Sequence, residues 1–157
     1  MITLPEPSQT YPTLTIFYAT TSPSESTPMP SYAISRTLDR PFEDTIQHVT
    51  EALKTEGFGI LTEIDIRETL KEKLDVDFRP YRILGACNPA LAHQALQAEP
   101  HIGLMLPCNV IVQDAGEGKT EVSAVDPVAS MSAIENEALG DISMQVRARL
   151  ERVIESL

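Results

Sequence analysis

The sequence predicts a mixed fold in which one β-sheet is backed by a long C-terminal helix. Two observations predict it. Apolar runs rich in Ile, Val and Leu, bounded by Gly, Pro, Asn or Asp, recur between Ser31 and Asp126 and have strand character. Between and after them lie stretches whose apolar residues step by three and four, the spacing of one helix face. A long amphipathic helix that ends a sheet-rich chain must bury its apolar stripe, and the sheet is the surface available.

The elements follow in order. "SYAISRTL", residues 31–38, reads as a strand, with Tyr32, Ile34 and Leu38 in imperfect alternation. Asp39 is expected to cap a helix that carries Pro41 in its first turn. Phe42, Ile46, Val49 and Leu53 make one stripe along that helix, and Gly57 is placed to end it in the left-handed conformation. "FGILTEIDI" is a strand, and "RETLKEKL" a short helix with Ile66, Leu70 and Leu74 on one side. "YRILGAC", residues 81–87, is the next strand.

Asn88 then caps a helix whose first residue is Pro89, where the nitrogen that proline lacks is not needed. Leu91, Ala92, Ala95 and Leu96 form its expected buried arc. "GLMLPCNVIVQD", residues 103–114, reads as one long strand, turned back by Asp114 to Gly118 into "KTEVSAVD". Pro127 closes that strand, since it cannot donate to a ladder. The C-terminus reads as two helical pieces broken at Gly140. Asp141 caps the second, which carries the stripe Ile142, Val146, Leu150, Val153 and Leu157.

Composition narrows the function classes. Aromatics make up 5% of the chain and Trp is missing, so core volume must come from Leu, Ile, Val and Ala. The formal charge of −11 disfavours nucleic acid, whose binding rests on Lys and Arg meeting phosphate, and disfavours anionic membrane surfaces. No apolar run approaches the roughly 20 residues of a membrane-spanning helix. The N-terminus has neither a basic start nor a long apolar middle, and two cysteines do not make a disulfide framework. The expected setting is cytoplasmic. Residues 1–30, rich in Pro, Ser and Thr, read as an extended arm containing the strand-like Leu14-Thr15-Ile16-Phe17-Tyr18; residues 31–157 read as one domain.

Candidate ligand-binding residues are Cys87, Asn88, Cys108, Asn109, Tyr81 and Arg82. Cys87 precedes a helix start, whose backbone N–H groups favour an anion and so can lower a thiol pKa; the competing reading is a small apolar side chain where strand meets helix. Cys108 follows Pro107, which suggests a bulge or edge position. Asn109 in a strand needs partners if buried, and Arg82 beside Tyr81 offers a cation to an anionic ligand. No metal site is expected: His93 and His48 fall on polar helix faces, His101 lies in a loop, and no spacing matches a structural zinc site. Glu63 and Asp65 share a strand face and, with Asp77, are the acid–base candidates; parity sets the first two opposite Ile60, Ile64 and Ile66 and hence toward water. No phosphate loop and no Ser/His/Asp motif stands out, so enzyme activity is left open.

Four segments, "EGFGILTEIDIRETLKEKL", "YRILGACNP", "GLMLPCNVIVQD" and "VSAVDPVASM", in this order and spacing, resemble the domain of unknown function family 302, a family of small bacterial and archaeal domains, over about residues 32–155. The resemblance implies an α+β domain with a curved, mostly antiparallel sheet and a long C-terminal helix packed on one face, similar to TATA-binding-protein-like folds. It implies self-association and carries no activity or cofactor. Similarity to a DNA-binding fold implies no DNA binding. In such an antiparallel sheet Cys87 would lie opposite the region of Gly103, with Cys108 some 10 Å or more away, beyond the about 7 Å Cα separation that a disulfide tolerates.

Three functions are therefore in view. The first is a homodimeric binding or accessory module with a small-ligand cleft between sheet and C-terminal helix. The alternative is a thiol-dependent redox or metal-handling protein using Cys87, with or without Cys108. The third is a purely structural oligomerisation module.

Overall fold

The computed structural model describes residues 31–157. The N-terminal arm read from residues 1–30 lies outside the described residues. The chain order is β1 (Ala33–Leu38), α1 (Phe42–Thr55), β2 (Gly59–Asp65), α2 (Ile66–Leu74), β3 (Tyr81–Cys87), α3 (Pro89–Ala98), a 3-10 turn (Pro100–Met105), β4 (Cys108–Gly116), β5 (Lys119–Val125), α4 (Pro127–Ser130) and α5 (Glu137–Glu155). The fold class is α+β, as expected. One open sheet has the order β1-β5-β4-β3-β2, and every neighbouring pair is antiparallel.

The register sorts side chains onto two faces. Leu84, Val110 and Ala124 stand side by side on one face, as do Val112 and Val122, and all are buried. They form one core with Val49 and Leu53 of α1, Leu91 and Ala95 of α3, and the stripe of α5. The C-terminal stripe holds: Ile142, Val146, Leu150 and Val153 are buried and Leu157 packs against the core. Arg152 clasps the Glu56 carboxylate from Nε and Nη2, at 3.1 and 2.9 Å, and Arg149 donates to the Glu56 carbonyl, tying α5 to the end of α1.

Several local readings hold for the stated reasons. Gly57 has φ +83°, and the N–H groups of Gly57 and Phe58 donate to Lys54 and Leu53, so α1 ends in a Schellman motif. The β4–β5 turn is tight: Gly116 pairs with Lys119 around Glu117 and Gly118, both at positive φ, as a type I′ turn requires. Asn88 accepts from the Leu91 N–H at 3.2 Å and Pro89 opens α3.

Others are corrected. Asp39 does not cap α1; Pro41 occupies that position, and its carbonyl accepts from the buried Thr45 hydroxyl at 2.8 Å. Gly140 does not break the C-terminal helix. The helix runs through it from Asn136, whose side chain accepts from the Ala138 N–H, so Asp141 is an interior residue. The interruption comes earlier, between α4 and α5. Leu96 is 44% exposed, outside the buried arc of α3, and Leu74 is 66% exposed, because α2 buries none of its residues.

The long strand over residues 103–114 is also corrected. Pro100 to Met105 coil into a 3-10 turn, capped by the Glu99 carboxylate accepting from the His101 N–H at 2.9 Å. The Leu106–Pro107 peptide is cis, and β4 begins only at Cys108.

A bulge in β2 reverses another expectation. Ile60 pairs with Ala86, but Thr62 pairs with Gly85, so Leu61 is the extra residue. Beyond it the alternation changes sides. Glu63 and Asp65 stand beside Leu84 and Arg82 on the helix-bearing face, while Ile64, 45% exposed, joins the opposite face. Among the described residues, no helix is long and apolar enough to cross a membrane.

Candidate functional site

Two of the sequence-selected sites are structural. Arg82 sits at the start of β3 with its side chain 17% exposed. It hydrogen-bonds Glu63, donates to Asp65 at 3.1 Å, lies 3.7 Å from the Glu43 carboxylate of α1, and stands over the Phe42 ring. Burial pulls the Arg82 pKa down, but the Glu63 hydrogen bond and the Asp65, Glu63 and Glu43 charges outweigh it and leave the pKa raised. Three carboxylates around one guanidinium leave a negative surplus. The expectation of an anion at Arg82 is therefore corrected, and Glu63 and Asp65 are its anchors. Asp65 also caps α2 by accepting from the Glu68 N–H at 2.9 Å, a role that its place before "IRETL" could have revealed.

Tyr81 packs on Phe78 at a ring separation of 6.2 Å, with the Arg79 guanidinium stacked on both rings. Asn109 is exposed on the face away from the helices, paired in register with Gly85, so it has no buried amide to satisfy. Neither meets the thiols' cavity. His93 and His101 are exposed; His48 is half-buried, so its placement on an exposed face is only partly met. Asp77 is exposed beside Lys71.

The structure does bring Cys87, Asn88 and Cys108 together. They line a cavity of about 20 Å³ where the end of the sheet meets α3 and α5. Ala86 and Cys108 form its sheet wall, Leu91 and Ala95 its α3 wall, and Ile142 and Val146 its α5 wall. Phe58 and Met131 also border it. Met131, in the turn after α4, was not among the sequence candidates; nothing in its local pattern distinguishes it.

The separation expected between the thiols is corrected by the register. Cys108 pairs with Ala86, not with a residue far down the strand, because the chain before it coils instead of extending. Cys87 is thus one step diagonal from Cys108, about 6 Å between Cα atoms for ordinary strand spacing and rise. Both are free thiols, Cys108 buried and Cys87 half-buried.

Their electrostatics also differ from the expectation. Burial pushes the Cys108 thiol up to about 11, and the neighbouring Cys87 adds to the rise. Burial raises Cys87 as well. A lowered Cys87 pKa at the helix start is therefore corrected: loss of water around the sulfur outweighs the α3 dipole, and both groups are neutral thiols at neutral pH. Chemically, the site offers soft, uncharged sulfur in an apolar wall.

Comparisons with known proteins give a family and solved relatives. The model of "Domain of unknown function DUF302" matches residues 34–157. A crystal structure of an uncharacterized conserved protein DUF302 from Bacillus stearothermophilus is similar, with TM-score 0.74 and 29% identity over 80% of this chain and 98% of that one. No curated protein matches.

Proposed function

The chain belongs to the DUF302 family, and from that premise we propose that it is a binding or accessory module that works as a homodimer and receives a small ligand at the cavity closed by Cys87 and Cys108. The observation that carries the reading is convergence: strands β3 and β4, helices α3 and α5 and the turn after α4 all contribute walls to one apolar space. Ligand sites are mostly apolar clefts built where elements meet, with few polar groups. The arm of residues 1–30 is an appendage to a domain of residues 31–157 in this reading. The acidic charge and the free thiols suit a cytoplasmic protein without a nucleic-acid partner.

Self-association would use the sheet face that the helices leave open. Ile64, Ile83 and Ile111 stand in one register row across β2, β3 and β4 on that face, and Leu61 in the bulge is 65% exposed. A row of this kind gains by burial against a copy of itself.

Xenon tests the cavity, since small apolar cavities take it up. In NMR spectra of the full chain under xenon, shifts should concentrate at the methyl groups of Ala86, Ala95 and Val146. Shifts scattered over the surface, or none, would overturn the ligand site. Light scattering tests the dimer: the full chain should have twice its monomer mass, and Ile64→Lys should halve it. A monomeric wild type sinks the dimer reading.

A further inference from the structure

The cavity has a composition that neither water nor an organic ligand suits. A volume of about 20 Å³ is near what a single water needs. A buried water also wants two to four polar partners. The Asn88 side-chain oxygen is already engaged by the Leu91 N–H, its amide nitrogen stands against Gly57, and the other side chains of the lining carry only carbon and sulfur. An organic ligand ordinarily occupies some hundreds of Å³. What the lining does have is sulfur-bearing residues from three separate segments, Cys87 at the end of β3, Cys108 at the start of β4 and Met131 after α4, with the two thiols close enough to influence each other's ionisation.

We propose that this cavity is a binding site for a single soft monovalent metal ion, Cu(I), held by Cys87, Cys108 and Met131. The assignment rests on the reading of the cavity as the ligand site and names the class of its ligand. Thiolate and thioether are the donors that select Cu(I). Zinc prefers four ligands drawn from thiolate, imidazole and carboxylate, and no His, Asp or Glu lines this space. Among the described residues no group of three His, Cys, Asp or Glu side chains could hold a metal ion, so a harder ion has no comparable site. The start of α3 lies beside Cys87, and its N–H end opposes the negative charge that a thiolate-bound ion would carry. Binding replaces the thiol protons by the ion and releases them to solvent, with no change in oxidation state. The small size of the space then becomes a selective feature: it admits an ion and excludes bulky chelates.

The test is an anaerobic titration of the full-length protein with Cu(I) against a competing chromogenic chelator, followed also by the ultraviolet thiolate-to-metal band. One ion per chain is expected. Cys87→Ser and Cys108→Ser should each weaken binding by more than the roughly 10–100-fold that loss of an outer-shell partner costs. Met131→Leu conserves volume and fold, so its loss of about tenfold or more in affinity is the cleanest sign of a thioether ligand. Circular dichroism of each variant separates loss of a ligand from loss of structure. Binding that survives Cys108→Ser in a folded protein, or that ignores Met131→Leu, would overturn the three-sulfur site. If xenon enters the cavity but Cu(I) does not bind, the metal assignment fails and the ligand site stands. If neither binds, both fail.

Discussion

Cys108 lies opposite Ala86 across β3 and β4, one residue in register from Cys87, and both residues border the same cavity. This relationship turns two isolated thiols into a pair. It also places them in a region that discourages ionisation, which is the basis of the first prediction.

The folded protein should lose stability at alkaline pH through Cys108. Its pKa is raised from 9.0 to about 11 in the fold. The unfolded chain therefore releases this proton first as pH rises. Stability from the neutral thiol is full below about pH 9 and is lost progressively up to about pH 11, an amount on the order of 2–3 kcal/mol. Urea unfolding of wild type and Cys108→Ala across this window should converge as pH rises. A constant difference would contradict the raised pKa. Cys87, half-buried, should alkylate before Cys108.

Gly85 should tolerate no side chain. A Cβ there would stand 2.1 Å from the Thr62 hydroxyl and 2.8 Å from the Pro107 ring. Both neighbours are short and stiff, so the strands themselves must shift. Gly85→Ala should destabilise by about 1–3 kcal/mol, measured by denaturant unfolding. An unchanged midpoint would show that the β2–β3–β4 seam is looser than described.

Gly140 should behave in the opposite way. It lies inside α5, nothing stands within 4 Å of a Cβ built there, and its φ is not positive. Gly140→Ala should raise stability by about 0.5–1 kcal/mol, through helix propensity and a less mobile unfolded chain. A fall in melting temperature would argue for a break at this residue after all.

Arg82 should prove structural. Arg82→Met leaves Glu63, Asp65 and Glu43 facing one another without a cation. The partners are partly exposed, so the loss at neutral pH should be about 1–2 kcal/mol, less than for a fully buried pair. A variant that is as stable as wild type at pH 7 would show that solvent already screens the cluster.

Much of the fold is visible in short stretches of sequence because those features are local. Asn88-Pro89 specifies a helix start whatever surrounds it, since the cap and the missing proline nitrogen act within one turn. Gly57 ends α1 by its own backbone freedom. The stripe from Ile142 to Leu157 records a buried face by its period. The misreadings occur where a neighbour outweighs the local signal. Gly140 reads as a break, yet its flanking turns pack Leu139 and Ile142 into the core and carry the helix across it. Leu104 and Met105 have strand composition, but Glu99 and Pro100 begin a 3-10 turn.

The candidate site divides in the same way. Selection of Cys87, Asn88 and Cys108 needed only their positions beside a helix start and a proline. Selection of Met131 required the packing of the turn after α4 against the sheet's end, and rejection of Arg82 and Asn109 and the side on which Glu63 stands required the register. A single extra residue, Leu61, moves every later β2 side chain to the other face, and no composition records it. The chain alone thus determines an acidic α+β protein of this family with a capped α3 and an amphipathic terminal helix, because those properties are sums over residues or lie within one turn. Tertiary structure decided that two thiols are neighbours, that they are neutral, and that a methionine from a distant turn joins them. Those facts depend on strand pairing and loss of water, which arise only when distant segments pack together.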